Sequence, residues 1–258
     1  MMKVTLPKLK SKKGIEKISM VTCYDASFAR LVEKAEIDSI LVGDSLGMVI
    51  KGEENTLNVS VEEVAHHVSA VKRGAQNPFL IADMPFGSYQ SSVEHGIESA
   101  VKLVKAGAEA VKLEGGREVS PLISALSSFG IPVVAHVGLT PQFVNKFGGF
   151  VKRGKSLAER KFIMESAIEV EKAGADMIVL EGIPETLAAE ITKKVKIPTI
   201  GIGAGTETDG QVLVIYDLLG MNADFNPSFL KKYLNLDSLV TNALKEYRKD
   251  VTEGKYLS

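Results

Sequence analysis

The sequence predicts an α/β protein of the (β/α)8 TIM barrel class, built as a single domain. Eight short apolar runs rich in β-branched residues alternate with helix-like segments, which is the pattern of a parallel sheet covered by helices. The length of 258 residues suits one such barrel. The joints between helices and strands also recur, since 105–111 resembles 172–178 and 129–133 resembles 195–199. An open doubly wound sheet would share these joints and remains the alternative fold.

Each predicted strand is an apolar run that reads as fully buried. The predicted strands are 18–23, 39–43, 79–83, 110–114, 132–136, 177–181, 198–203 and 211–216. Amphipathic segments between most of these runs, and one after the last, predict helices. The predicted helices are 26–35, 61–73, 92–106, 156–173, 184–194 and 227–247.

Residues at the ends of these segments support the helices. Ser60 precedes one helix with Glu63 three residues on, which is the spacing of a capping box. Gly174 follows the end of another helix, and Pro184 stands near the first position of a third. No shift of composition or flexible linker divides the chain, so we predict one domain over 1–258, with a short N-terminal extension and a C-terminal helix.

The composition excludes several classes of function. Lys and Arg total 31 while Asp and Glu total 32, which argues against nucleic acid and membranes as partners. The single cysteine, Cys23, excludes a disulfide framework and is interpreted as a small buried residue. The lysine-rich start lacks the apolar core of a secretory signal, and no run of about 18 apolar residues predicts a membrane span. We therefore expect a cytoplasmic protein.

Ionisable residues end five of the apolar runs. Asp44, Asp83 and Glu114 follow three of them, and the carboxyl ends of barrel strands meet at one rim. Three carboxylates without cysteine partners suit Mg²⁺ or Mn²⁺. The structural alternative is three separate carboxylates that cap the following helices, and the three carboxylates alone support both interpretations equally.

Lys112 and Glu114 are two residues apart on one strand and so share a side of the sheet. They predict either a structural ion pair or a clamp in which the lysine binds an anionic substrate beside a metal. Glu181 ends the sixth strand and is a candidate general base, although it could also cap the helix near Pro184. His136 also ends a strand, but a lone histidine is more often a structural residue, and no role is assigned to it.

Two connections are predicted to be unusually long, 44–60 and 136–155, and such loops are often functional. The second contains Lys152, Arg153 and Lys155, and we interpret it as a candidate lid. The glycine-rich segment 201–205 could cradle a phosphate. We favour tight packing there, because the full G-x-G-x-x-G spacing is missing.

Six motifs together resemble the ketopantoate hydroxymethyltransferase family. They are VGDSLGM (42–48), ADMPFGSY (82–89), VKLEGG (111–116), HVGLTPQ (136–142), IGIGAG (200–205) and DGQVL (209–213). The resemblance runs in order from about residue 18 to the last helix. It implies a (β/α)8 barrel that assembles as a homodecamer, and transfer of a hydroxymethyl group from 5,10-methylenetetrahydrofolate to 3-methyl-2-oxobutanoate. The implied product is 2-dehydropantoate, on the route to pantothenate and coenzyme A.

The resemblance also implies roles for particular side chains. The acidic groups at a Mg²⁺ ion are matched by Asp44, Asp83 and Glu114. The residues that hold the keto acid are matched by Asp44, Ser45, Asp83 and Lys112. The proton acceptor is matched by Glu181. Three other functions remain open. Lys112 could form a Schiff base in a metal-free aldolase. The chain could also be a related Mg²⁺ barrel that cleaves or rearranges C–C or P–C bonds of keto acids, or a barrel without catalytic activity.

Overall fold

The computed structural model describes residues 2–256, and its centre is a closed barrel of eight parallel strands in chain order. The strands are β1 (Ile18–Thr22), β2 (Ser39–Val42), β3 (Phe79–Asp83), β4 (Ala110–Glu114), β5 (Val133–Gly138), β6 (Met177–Glu181), β7 (Thr199–Ile202) and β8 (Gly210–Leu213). The closed ring confirms the predicted (β/α)8 class, and the open-sheet alternative is wrong. Strands β3, β4 and β6 have the predicted bounds, whereas β8 ends three residues before its predicted end.

Helices follow most of the strands. They are α1 (Leu6–Ser11), α2 (Ala26–Lys34), α3 (Leu46–Val49), α4 (Val61–Gly74), α5 (Val93–Ala106), α6 (Ser120–Ser128), α7 (Val144–Phe147), α8 (Leu157–Lys172), α9 (Glu185–Lys194), α10 (Ile215–Leu218) and α11 (Leu236–Thr252). The sequence prediction lacks α1, α6 and the three four-residue helices. Helix α6 contains four serines and begins beside a proline, so its propensity signal is weak.

The predicted capping box is present at the start of α4. The Ser60 hydroxyl accepts a hydrogen bond from the Glu63 backbone N–H at 3.2 Å, and Glu63 accepts one from the Ser60 N–H at 2.8 Å. Pro184 is the N-cap of α9 rather than a residue inside it. The predicted start of the last helix at 227 is wrong, because α11 begins at Leu236, where the Asn235 side chain caps the Ser238 N–H.

The N-terminal segment closes the amino-terminal end of the barrel. Val4 and Leu9 belong to the same buried cluster as Ile18, Ile81 and Met177 from the strands. The Val4 N–H donates to the Asn77 carbonyl just before β3. This plug leaves the carboxyl ends of the strands as the open face of the barrel.

The chain divides into two compact units, Met1–Val212 and Leu213–Ser258. The first contains the barrel strands up to Val212 of β8, together with all the predicted site residues. The second contains α10 and α11. The predicted domain bounds, 1–258, stay a prediction. Over the described residues, no helix has the length and apolar character needed to cross a membrane. Cys23 is buried, as predicted.

Candidate active site

Strand register brings the predicted ionisable residues together at one rim of the barrel. Asp83 of β3 is paired with Lys112 of β4, and Glu114 is paired with His136 of β5. Glu181 is the last residue of β6. Since all these strands are parallel, their carboxyl ends lie on the same face, as expected for the active site of a barrel enzyme.

Lys112 lies at the centre of this cluster. Its Nζ is 2.7 Å from Asp83 Oδ1 and 3.3 Å from His136 Nδ1, and the side chain is buried. Burial alone would lower the pKa of Lys112, but the charges of Asp83, Glu114 and Asp44 outweigh it and raise the pKa above its ordinary value. Because a Schiff base needs a neutral amine, this setting opposes the aldolase alternative.

Asp44 and Asp83 are buried acids, and the backbone of Asp44 is hydrogen-bonded to the side chain of Asp83. The Asp44 N–H donates to Asp83 Oδ2 at 2.9 Å, and Gln142 Nε2 donates to Asp44 Oδ2 at 2.9 Å. Burial, and then the charges of Asp83 and Glu114, raise the pKa of Asp44 well above its ordinary value. Burial likewise raises the pKa of Asp83, although Lys112 opposes the rise. A cation placed between these groups would relieve this cost.

Glu114 carries a buried oxygen with no hydrogen bond. Its Oε2 accepts from the Gln142 N–H at 3.0 Å, whereas Oε1 has only His136 Nδ1 at 3.4 Å. Asp83 and Glu114 thus accept hydrogen bonds from backbone N–H groups of other strands or their loops. The helix-capping alternative is therefore wrong for these two carboxylates.

The three carboxylates suit a hard divalent cation that also binds ligands from outside the protein, such as water and substrate oxygens. Within residues 2–256, no three His, Cys, Asp or Glu side chains are arranged to enclose one ion. The oxygens of Asp44, Asp83 and Glu114 are of the kind that Mg²⁺ prefers, and Mg²⁺ is commonly held by one or two carboxylates plus water and substrate oxygens. The free Oε1 of Glu114 is consistent with such a partly open site.

His136 connects the acidic cluster to Glu181. The His136 ring is buried, with Nε2 at 3.2 Å from Glu181 Oε2. Burial and Lys112 lower the pKa of His136, but its contacts with Glu114 and Glu181 outweigh them and raise it to about 9. Sequence reasoning left His136 without a role, although its place at a strand end was the signal.

Glu181 is the most accessible of the predicted acids. Its side chain is 22% exposed, compared with 1% for Glu114. A carboxylate at the mouth of the site, 3.2 Å from an imidazole nitrogen, lies where it can exchange a proton with solvent. Its side chain contacts His136 and not the start of α9, so the capping alternative for Glu181 finds no support.

Ser45 lies at the same rim, close to Asp83. The Ser45 hydroxyl is 2.8 Å from the Tyr24 hydroxyl. A Cβ at Gly43 would lie 2.7 Å from Ser45 Oγ and 3.3 Å from Asp83 Oδ2. Only glycine leaves these two side chains where they are.

Gln142 and Tyr89 are the residues that sequence reasoning missed. Gln142 donates from Nε2 to Asp44 and from its N–H to Glu114, and its Oε1 accepts from the Tyr89 hydroxyl at 2.7 Å. Both residues are buried and neutral. Because neither side chain is charged, the pattern of ionisable residues at strand ends did not point to them. Only their presence inside the family motifs could have indicated that they belong to the site.

The two long connections contain more structure than predicted. Strand β5 continues to Gly138, and a 3₁₀ turn (Pro141–Phe143) followed by α7 occupies 141–147. The segment 44–60 contains α3. The proposed lid role of 136–155 stays a prediction. In the 201–205 segment a Cβ at Gly205 would lie 2.3 Å from Glu185 Cγ, which supports the packing interpretation.

These features define a class of protein: a (β/α)8 barrel enzyme with a lysine and carboxylates buried at the carboxyl rim and an accessible acid beside them. The chain belongs to the ketopantoate hydroxymethyltransferase family, whose sequence profile matches residues 3–258. It is 55% identical over 253 residues to the 3-methyl-2-oxobutanoate hydroxymethyltransferase of Thermotoga sp. (strain RQ2), covering 98% of this chain and 94% of that protein. It is 52% identical over 242 residues to the protein of that name from Clostridium botulinum (strain Alaska E43 / Type E3), covering 93% and 88%.

Solved structures share the fold at low sequence identity. The phosphoenolpyruvate phosphomutase from Streptomyces platensis subsp. rosaceus superimposes with a TM-score of 0.64 at 12% identity, covering 97% of this chain and 88% of that one. A phosphonopyruvate hydrolase gives a TM-score of 0.62 at 15% identity, covering 100% of both chains. These likenesses support the barrel architecture alone.

Proposed function

We propose that this enzyme transfers a hydroxymethyl group from 5,10-methylenetetrahydrofolate to 3-methyl-2-oxobutanoate and releases 2-dehydropantoate, a precursor of pantothenate and coenzyme A. Family membership and the names of its relatives support the reaction. The observation that carries the proposal is the buried Lys112–Asp83 pair beside Asp44 and Glu114, with Glu181 at the mouth of the same site.

The reaction requires a carbon acid to lose a proton. The hydrogen on C3 of the keto acid is weakly acidic, and the negative charge that develops spreads onto the keto oxygen. Asp44, Asp83 and Glu114 would hold Mg²⁺, which supplies a Lewis acid for that oxygen when bound. Stabilising charge that is absent from the ground state lowers the barrier rather than only tightening binding.

The side chains of this chain would orient the substrate and move the proton. Lys112, charged because of its acidic neighbours, would face the substrate carboxylate. Ser45, together with Asp44 and Asp83, would hold the keto acid. Glu181 would accept the C3 proton, and His136, with Nε2 3.2 Å from the Glu181 carboxylate, would orient it.

The atoms balance without a further oxidant or reductant. The C3–H bond breaks and its proton passes to Glu181, while a C3–C bond forms to the methylene carbon of the folate. The bonds from that carbon to the folate nitrogens break, and the nitrogens take up protons. Water supplies the oxygen of the hydroxymethyl group, since the donor carbon is already at the oxidation level of formaldehyde.

The test is an assay of the purified protein with donor labelled with ¹³C at the methylene carbon. We expect 2-dehydropantoate that carries the label at its hydroxymethyl carbon, and we expect EDTA to abolish the reaction and added Mg²⁺ to restore it. Absence of labelled product with both substrates and Mg²⁺ would refute the proposed function. Reduction by borohydride that fixes the keto acid on Lys112 would instead support the aldolase.

We further propose a homodecamer that acts in the cytoplasm, as the resemblance and the sequence predict. Large apolar side chains lie exposed on the barrel unit, among them Leu31, Phe129 and Leu157. Burial between copies would remove them from water. Size-exclusion chromatography with light-scattering detection should give the mass of ten 27.8 kDa chains. The mass of a single chain would refute the assembly.

A further inference from the structure

The hydrogen-bond ladder between β3 and β4 opens at the carboxyl rim. Its last backbone bond runs from the Met84 N–H, one residue beyond β3, to the Lys112 carbonyl at 2.8 Å. In a regular parallel ladder the next bond would join the Glu114 N–H to the Met84 carbonyl. Instead, the Glu114 N–H donates to the Tyr89 hydroxyl at 3.2 Å. The Met84 carbonyl accepts from Gln142 Nε2 at 3.0 Å.

Two neutral side chains fill the gap between the strand ends. The Tyr89 hydroxyl donates to Gln142 Oε1 at 2.7 Å, so the two side chains form one continuous bridge. The hydroxyl also lies 3.1 Å from the Glu114 carbonyl, but its one hydrogen serves a single acceptor at a time, and Oε1 is nearer. Both side chains are buried, where a polar group that loses its partner is costly. The bridge therefore takes the place of a ladder bond.

The same bridge contacts two of the acids that are proposed to hold the cation. Gln142 Nε2 has two hydrogens, and it donates to Asp44 Oδ2 at 2.9 Å as well as to the Met84 carbonyl. The Gln142 backbone N–H donates to Glu114 Oε2 at 3.0 Å. Because the Tyr89 hydroxyl holds the Oε1 end of the amide, the Nε2 end faces Asp44. The distance between the two acids thus depends on a tyrosine that lies outside the acidic cluster.

We propose that Tyr89 is a positioning residue for the divalent cation, and that it acts through the Gln142 amide on the carboxylate of Asp44. This inference rests on the proposed function, in which Asp44 and Glu114 hold Mg²⁺. Without the hydroxyl, the amide keeps only Gln90 Nε2 as a donor to Oε1, at 3.3 Å. The amide can then turn away from Asp44, and the carboxylate leaves the position that suits the ion.

The test measures the Kd of the full-length enzyme for Mn²⁺, without substrate, from the electron paramagnetic resonance signal of the free ion. The variants are Tyr89→Phe, Gln142→Ala and the double variant. The matched control is Tyr233→Phe, which removes the hydroxyl of an exposed tyrosine. The same titration gives the number of sites per chain. A purely structural defect lowers that number, whereas a positioning defect raises the Kd at the same number of sites.

We expect Tyr89→Phe to raise the Kd for Mn²⁺ about tenfold, which is the lower end of the range typical for groups that orient metal ligands. Gln142→Ala should raise the Kd at least as much. The rise in the double variant should be smaller than the product of the two single rises, because one residue acts through the other. Tyr233→Phe should match the wild type, and every variant should keep the wild-type number of sites.

An unchanged Kd in Tyr89→Phe would overturn the role of Tyr89 and leave the proposed function intact. So would fewer sites at an unchanged Kd, or a double variant in which the single effects multiply in full. Gln142→Ala decides the matter if Tyr89→Phe fails to fold, because an unchanged Kd there also breaks the connection to Asp44. A wild type that binds no Mn²⁺ would refute the cation site of the proposed function, and this inference with it. Absence of labelled product despite the expected Kd values would refute the proposed reaction alone.

Discussion

The imidazole of His136 joins the buried acidic cluster to the accessible acid at the mouth of the site. His136 Nε2 lies 3.2 Å from Glu181 Oε2, and His136 Nδ1 lies 3.4 Å from Glu114 Oε1. The contacts with these carboxylates raise the pKa of His136 to about 9, against burial and the charge of Lys112. Glu181 is 22% exposed and contacts His136 on its buried side, so it is the acid of the cluster best placed to take a proton.

Gly43→Ala tests whether the position of Ser45 matters for substrate binding. The new Cβ would lie 2.7 Å from Ser45 Oγ, so the hydroxyl must shift, and we expect the KM for the keto acid to rise about tenfold. The double variant Gly43→Ala/Ser45→Ala removes the clashing oxygen. The loss in the double variant should be smaller than the sum of the two single losses, because the effects of residues in contact do not add. Fully additive losses in steady-state kinetics would contradict this account.

Asp44→Asn separates stability from activity. The substitution keeps the shape and the oxygen that accepts from Gln142, but it removes one of three crowded negative charges. In EDTA we expect the free energy of unfolding by urea to stay equal or to rise by on the order of 1 kcal/mol. Hydroxymethyl transfer should be lost. The exposed Asp250→Asn serves as the control, and a marked loss of stability in Asp44→Asn alone would show that its charge is structurally required.

Gln142→Ala tests the role of a neutral residue between two acids. Its side chain holds Asp44, and its backbone N–H holds Glu114. Removal of groups that orient metal ligands typically costs about 10- to 100-fold in metal affinity or activity. We expect the Mg²⁺ concentration for half-maximal activity to rise within that range. An unchanged Mg²⁺ titration would show that the amide does not position Asp44.

The ion pair at the opposite end of the barrel predicts a stability effect that depends on pH. Lys12 Nζ is 2.6 Å from Asp38 Oδ1, and Ser19 donates two hydrogen bonds to Oδ2. Burial would raise the pKa of Asp38, but these donors outweigh it and hold the pKa below the ordinary value of 3.8. Asp38→Asn should therefore lower the free energy of unfolding at pH 7 by about 1–3 kcal/mol.

The sign follows from the lowered pKa of Asp38. Its contribution to stability is present above the unfolded value of 3.8 and is lost as pH falls through the folded value. Denaturation by urea at several pH values should show the two proteins converging in acid. If the difference in the free energy of unfolding between the wild type and Asp38→Asn stays constant to the lowest pH measured, the charge of Asp38 is not the source of that difference. At pH 7 the activity of Asp38→Asn should equal that of the wild type at temperatures below the unfolding transition of the variant.

Strand ends could be predicted from the sequence because a charge directly after a buried apolar run is costly without a partner. That reasoning correctly placed Asp83, Lys112, Glu114 and Glu181 at one rim. It could not give His136 a role, because one histidine without its neighbours looks like any buried histidine. The contacts that define it lie between strands 22 or more residues apart.

The parts that sequence reasoning missed are neutral or irregular. Gln142 acts through an amide in a 3₁₀ turn, and no periodicity or charge marks such a position. The contact of the Arg153 guanidinium with the Phe147 ring depends on how one irregular segment folds. The late start of α11 is set by the cap at Asn235, whereas the apolar pattern alone extends the helix to 227.

Exchange of the C3 hydrogen of 3-methyl-2-oxobutanoate with D₂O, followed by proton NMR in wild type and Glu181→Gln, tests the central claim most directly. Loss of a positioned base typically costs about 10²–10⁴-fold in rate. We predict Mg²⁺-dependent exchange in the wild type and a loss of that size in Glu181→Gln. The variant should still bind the keto acid, and the control Glu165→Gln, an exposed residue of α8, should behave as the wild type does. Exchange at the wild-type rate in Glu181→Gln would contradict the account, because another group would then remove the proton.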